Sequence, residues 1–225
     1  MEIDHCVFPD DLLYDVENNT WVRLVGGGAI VGITSLLSAV AGKLTSVRLR
    51  AAGLGVDRGR SLGTLESGRL VGPIPSPISG TITETNAFVL RSPKILNDSP
   101  YTEGWVARLE PKSIEAEVAL LMNVRTAEKA LRQKVVHYRA KCFKAFPDHD
   151  LVEIGVECAA VLVRLGELVQ SIPYGDVVHI VSDDPTAYVE MVRWADQSGQ
   201  SLVDWRSEDG LFHFIIKKTR PSLFE

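Results

Sequence analysis

Apolar and polar positions follow three different periods along this chain. Up to about residue 110 the apolar runs are short, and glycine or proline breaks them at hairpin spacing, which predicts strands. Trp21-Val-Arg-Leu-Val25 runs into Gly26, Gly27 and Gly28, and Ala29-Ile-Val-Gly-Ile33 reads as the return strand. Further short strands are expected at Val47–Leu49, Gly63–Leu65, Ile78–Thr85 and Trp105–Leu109. From 113 to about 146 the period changes: Val124, Ala127, Leu131, Val135, Tyr138 and Cys142 recur at steps of three or four, one face of a helix. Phe146-Pro147-Asp148 is the expected stop, since a residue before proline avoids the α region.

Residues 150–218 alternate strand and helix patterns. A strand over Leu151–Val156 precedes a helix over Ala159–Ser171, with Val161, Leu165, Leu168, Val169 and Ile172 on its apolar face. Val177–Val181 is a second strand. Asp183-Asp184-Pro185 predicts a helix start, an aspartate cap followed by a proline that needs no N–H. That helix stops at Gly199, and Leu202–Arg206 and Leu211–Lys217 flank the hairpin signal Asp209-Gly210. The expected organisation is a β domain over 1–112, a connecting basic helix over 113–149 and an α+β domain over 150–225.

With 225 residues, 45% of them hydrophobic and 24% charged, the chain reads as soluble and able to bury real cores. A net charge of -5 argues against a nucleic-acid binder. Leu24–Gly42 is uncharged and long enough to span a bilayer, but its triple glycine and its serines favour strand, turn, strand and short helix. Asp4, Asp10 and Asp11 leave no basic leader region, so no membrane is expected. The three cysteines, Cys6, Cys142 and Cys158, have no paired spacing. That predicts no disulfide framework and no zinc site, and suits a reducing cytoplasm.

Several motifs in the first half resemble the glycine cleavage H protein. Trp21 opens the first strand and Gly32-Ile33-Thr34 is similar to the family's G-I-T. Leu65-Glu66-Ser67 resembles the start of an E-S-x-K hairpin, Ser76-Pro77-Ile78-Ser79-Gly80 its A-P-x-S-G return, and Asn97–Trp105 the N-x-x-P-Y-G-E-G-W segment. The resemblance implies a lipoyl-type flattened β-barrel with a lysine in that hairpin carrying lipoate. Here the position holds Arg69. Lipoylation needs an amine that can lose its proton, and arginine stays protonated. No lipoyl cofactor is therefore expected, and glycine cleavage proper is disfavoured. Arg69 remains either an ordinary turn residue or a docking residue for an anion.

Residues 150–218 resemble the TusA-like sulfur carriers, on Val181-Ser182-Asp183-Asp184-Pro185, Gly199 and the hairpin ending Phe212–Lys218. The family's C-P-x-P motif, at the start of the first helix, is represented by Cys158-Ala159-Ala160-Val161. The resemblance implies that Cys158 accepts sulfur as a persulfide and hands it on. A helix N-terminus favours a thiolate, whereas Glu157 opposes it and both prolines are missing. A buried, inert thiol is the alternative reading. Asp183 and Asp184 are expected to be caps rather than a catalytic pair.

The remaining candidates are bland. Cys142 is expected in the core, and Cys6 as a bystander or a resolving thiol. His137, Cys142 and His149 have poor spacing for a metal, and none is expected. Arg125, Lys129, Arg132, Lys134, Arg139, Lys141 and Lys144 form a basic face, solvated or docking an acidic partner. The expectation is a cytoplasmic sulfur carrier acting through Cys158, with sulfur-donor and sulfur-acceptor proteins as partners and a docking half for proteins that recognise lipoyl-type domains. A non-catalytic adaptor is the alternative, and the sequence leaves open whether the chain is an enzyme.

Overall fold

The computed structural model describes residues 1–220; the last five residues of the expected C-terminal domain lie outside them. The chain divides into two compact units, the first Met1–Cys142 and the second from Phe143 onward.

The first unit contains two facing antiparallel sheets. Seven strands lie in the order Met122–Asn123, Leu13–Asp15, Thr20–Val25, Gly28–Ile33, Trp105–Pro111, Gly80–Thr85 and Gly55–Val56. Three lie in the order Leu44–Leu49, Ser61–Ser67 and Val71–Pro75. Val22, Val31 and Ile33 of the larger sheet meet Leu62, Leu65 and Ile74 of the smaller in one buried cluster. The expected barrel is thus corrected: both sheets are open. Register shifts interrupt the pairings at Leu44/Ser46 and Ser61/Gly63, and the larger sheet ends on two-residue strands. Bulges and short edges bend sheets without closing them.

Local motifs have local causes. Trp21 is fully buried, and its Nε1 donates to the Ile33 and Pro100 carbonyls at 2.8 and 3.1 Å. Gly32 pairs opposite Trp21, where a Cβ would fall 2.5 Å from the indole. Thr34 then caps the helix Ser35–Ala41 through the Leu37 N–H. The uncharged run 24–42 is accordingly strand, turn, strand and helix, and no described helix is long and apolar enough to cross a membrane.

The basic helix is shorter than expected. After a short helix at Ile114–Val118 it runs from Val124 to Tyr138, capped by Asn123, whose Oδ1 accepts from Thr126 N. Val124, Ala127, Leu131 and Val135 are buried against Ile3, Phe8, Leu12, Tyr14 and Trp21 of the same unit. The helix ends at Arg139, in the left-handed region at φ 48°, well before Phe146-Pro147. Local backbone reversal, a signal that non-glycine residues hide, stops it there. Tyr138 is exposed, and Cys142 leaves the helix to form a disulfide with Cys6, 136 residues away. That corrects the expectation of unpaired cysteines: spacing along the chain carries no information on a bond made by the fold.

The second unit runs strand His149–Glu153, helix Cys158–Ser171, strand Val177–Ser182, helix Ala187–Ser198, and strands Ser201–Glu208 and Leu211–Lys217. The sheet places Val177–Ser182 between a parallel neighbour, His149–Glu153, and an antiparallel one, Leu211–Lys217, with Ser201–Glu208 at the far edge. Both helices pack on one face: Val161, Leu165, Val169, Ala187 and Met191 meet Val178, Ile180, Phe214 and Ile216. Asp209 and Gly210, at φ 53° and 79°, make the tight turn that their sequence signals.

Candidate functional site

Two places test the sequence expectations: the helix start at Cys158 and the hairpin tip at Arg69. The first is built from a strand, a loop and a helix. Gly155 turns the chain at φ 71°, Glu157 stays extended, and Cys158 is the first helical residue. The residue is 4% exposed and joins the cluster of Val161, Leu165, Ala187 and Met191. It is the free thiol among the described residues, since Cys6 and Cys142 are joined.

Three of the N–H groups that could stabilise a thiolate there are already engaged. The Cys158 N–H donates to Asp184 Oδ2 at 2.8 Å, and the Ala160 and Val161 N–H groups donate to the Glu157 carbonyl. Asp183 Oδ1 accepts from the Gly155 N–H at 2.8 Å. Asp184 Oδ1 accepts from the Thr186 N–H and hydroxyl, both at 2.7 Å, and these bonds hold its carboxyl below the usual carboxylate range. Burial pushes the Cys158 thiol up to about 11, with the Asp184 and Glu190 carboxylates adding to it. Glu157, flagged by its adjacency, is not among those causes; Asp184 precedes the second helix and Glu190 lies in its first turn, 26 and 32 residues on. The expected cap is corrected: the helix Ala187–Ser198 has Thr186 at its N-cap with no side-chain bond, Asp184 braces the Thr186 turn before it and also holds the Cys158 N–H, and Asp183 reaches only the Gly155 N–H.

The hairpin tip is equally ordered. Ser67 Oγ donates to the Ala41 carbonyl at 2.6 Å and accepts from the Arg69 and Leu70 N–H groups at 3.0 Å. Arg69 is exposed, and its side chain lies across Gly42, where an added Cβ would fall 3.1 Å from Arg69 Cδ. Gly42 closes the helix Ser35–Ala41 at φ 77°, and its carbonyl accepts from Asn97 Nδ2 at 3.0 Å. The guanidinium stem therefore rests at a helix C-terminus, where positive charge is favoured. Asn97 also accepts from Leu44 N, Tyr101 Oη accepts from Ser35 N, and a Cβ on Gly104 would crowd the Ile95 carbonyl. The Asn97–Trp105 segment thus serves to anchor this helix.

No group of three His, Cys, Asp or Glu among the described residues is placed to hold a metal, and the disulfide removes Cys142 from any such set. On the basic helix, Arg132 pairs with Glu128 and Asp4, while Lys134 Nζ donates to the Glu17 carbonyl at 2.6 Å. Lys134 and His137 line a cleft of about 620 Å³ with Tyr14, Arg58, Leu120 and Met122.

Comparison with known proteins divides the chain in the same way. The model of the glycine cleavage H-protein family matches residues 12–134, more than half of the chain, and that of sulfurtransferase TusA matches 153–218. A probable glycine cleavage system H protein 2 of Sulfolobus acidocaldarius is 38% identical over 141 residues, 61% of this chain and 94% of that protein. Glycine cleavage system H protein 2 of Aquifex aeolicus is 35% identical over 138 residues, 61% of this chain and 86% of that one. The crystal structure of an H protein from Mycobacterium marinum covers 54% of this chain and 98% of its own, at 29% identity and a TM-score of 0.49.

Proposed function

Since the chain belongs to the glycine cleavage H-protein family and carries a TusA domain behind that half, we propose that it is a cytoplasmic sulfur carrier with Cys158 as its persulfide site and a docking half without a lipoyl arm. The observation that supports this most is the position of Cys158: a free thiol at the first residue of a helix, inside the TusA match.

In the transfer, the Cys158 thiolate attacks the outer sulfur of a donor persulfide. A new S–S bond forms at Cys158, the donor's S–S bond breaks, and the donor leaves as a thiolate that takes the proton Cys158 gave up. No net oxidation occurs. Delivery is the reverse, with an acceptor thiolate attacking the outer sulfur. The resting geometry makes this a guarded site. At neutral pH a thiol raised to about 11 is almost entirely neutral, so the donor must uncover it and draw Asp184 off the helix start. Partners are therefore proteins, which can remodel the loop. The residues of the Cys6–Cys142 disulfide are buried, 0% and 7% exposed, which slows its exchange with outside thiols.

Arg69 stands where the H-protein resemblance puts the lipoyl lysine, and it offers no nucleophilic amine. The H-like half then acts through its surface, toward proteins that recognise lipoyl-type domains. A second reading, an adaptor with both centres retired, is favoured by the burial of Cys158. Intact-mass measurement after incubation with a protein persulfide donor separates them: one added sulfur, absent in Cys158→Ser, supports the carrier, and no addition to a folded protein supports the adaptor.

A further inference from the structure

The two helices of the second unit bury one side against the sheet and leave a groove between them on the other. Leu162, Val163, Gly166 and Gln170 line it from the helix Cys158–Ser171, and Trp194 lines it from the helix Ala187–Ser198. The groove measures about 340 Å³, and its lining is mostly apolar. Val163 is 63% exposed, and Leu162 and Trp194 are only partly covered by the core beneath them. Apolar surface gathered in a concave site gains free energy when something fills it.

Gly166 lies in the interior of a 14-residue helix, where glycine is less stable than alanine. The internal reasons for a glycine are absent: its φ is not positive, and an added Cβ would meet nothing within 4 Å. The packing of the unit therefore does not need it. What the missing side chain provides is depth in the groove. Leu162, Gly166 and Gln170 follow at steps of four and form one row along the helix, and a second helix can lay its own side chains into such a row.

Charge selects the occupant. Arg164 pairs with Glu153, and Arg193 lies 3.9 Å from Glu190. Glu167 at the groove, Asp196, and Glu157, Asp183 and Asp184 near the helix starts leave a surplus of negative charge. A second copy presenting the same face would be repelled, and a basic segment would be attracted.

We propose that this groove docks an amphipathic helix of a partner protein, which lays an apolar side chain over Gly166 and flanks it with lysine or arginine. Cys158 begins the same helix, about 12 Å from Gly166 along its axis, so a docked helix of three or four turns spans the distance to the thiol-bearing turn. The inference needs a partner and no reaction at Cys158, so it stands apart from the sulfur-carrier reading.

The test uses the full chain and, as probe, a synthetic peptide helix with leucines on one face and lysines elsewhere, beside the same peptide with glutamates for lysines. Binding is followed by NMR at the Leu162 and Val163 methyls and the Trp194 indole. The lysine peptide should shift these signals and bind about tenfold or more tightly than the glutamate peptide, less so as salt is added. Gly166→Leu should fill the groove and weaken the lysine peptide by about tenfold. Glu167→Lys should narrow the difference between the peptides, and Gly166→Ala should raise the thermal midpoint. Equal binding of both peptides, binding unchanged by Gly166→Leu, or no shift at these three residues would overturn the proposal, as would a lowered midpoint in Gly166→Ala. Shifts at the same signals that grow with protein concentration in the absence of peptide would give the groove to a second copy and overturn it too.

Discussion

At the residue scale, the second unit turns on Asp184. It holds the Cys158 N–H, and its negative charge adds to the burial that keeps the thiol protonated. Asp184→Asn keeps an oxygen to accept that N–H while removing the charge. Alkylation of Cys158 should then speed up by about three- to tenfold at neutral pH, its pH profile moving down. In the unmodified protein the rate should keep rising toward pH 11 instead of levelling near 9; a profile unchanged by the substitution would remove Asp184 from this role. Arg69→Lys addresses the other centre. Treated with a lipoate-attaching enzyme, the variant should gain one lipoyl mass by intact-mass measurement and the unmodified protein none. The positions of Cys158 and Arg69 were legible in the sequence through motifs around them. Asp184 was legible as part of a helix start but not as the neighbour of Cys158, because that contact spans 26 residues and depends on how two loops meet at one end of a sheet.

At the element scale, the Trp21–Gly32 pair and the basic helix carry the first unit. Gly32→Ala should cost about 1–3 kcal/mol in chemical unfolding, since a Cβ there collides with the indole. The Cys6–Cys142 bond closes a loop of 136 residues in sequence separation, which corresponds to about 4–5 kcal/mol in the chain-entropy account. Cys6→Ser should therefore lower the thermal midpoint of the first unit and leave that of the second in place; equal midpoints with and without the bond would contradict this. Period-3.6 spacing located the buried face of the helix correctly at Val124, Ala127, Leu131 and Val135. It failed at Tyr138, the last helical residue, which is exposed; Cys142 is buried as expected, but beyond the reversal at Arg139 and off the helix. The short pairings Glu2–Ile3 with Cys6–Val7 and Leu13–Asp15 with Met122–Asn123 left too few residues for any period to show.

At the scale of the whole molecule, the chain joins an H-protein-family unit to a unit that the TusA family model matches. The strand–helix alternation of 150–218 and the hairpin rhythm before 110 were both readable, since each buries one regular face. The open edges of the first unit's sheets were not, because closure depends on bulges that motifs do not encode. The central claim is that the second unit still handles sulfur through Cys158. The most direct measurement is the intact mass of the full chain after exposure to a protein persulfide donor, beside Cys158→Ser. One added sulfur (about 32 Da), removable by reductant and missing from the variant, is the predicted result. A folded protein that gains no sulfur, or gains it equally in the variant, would contradict the account.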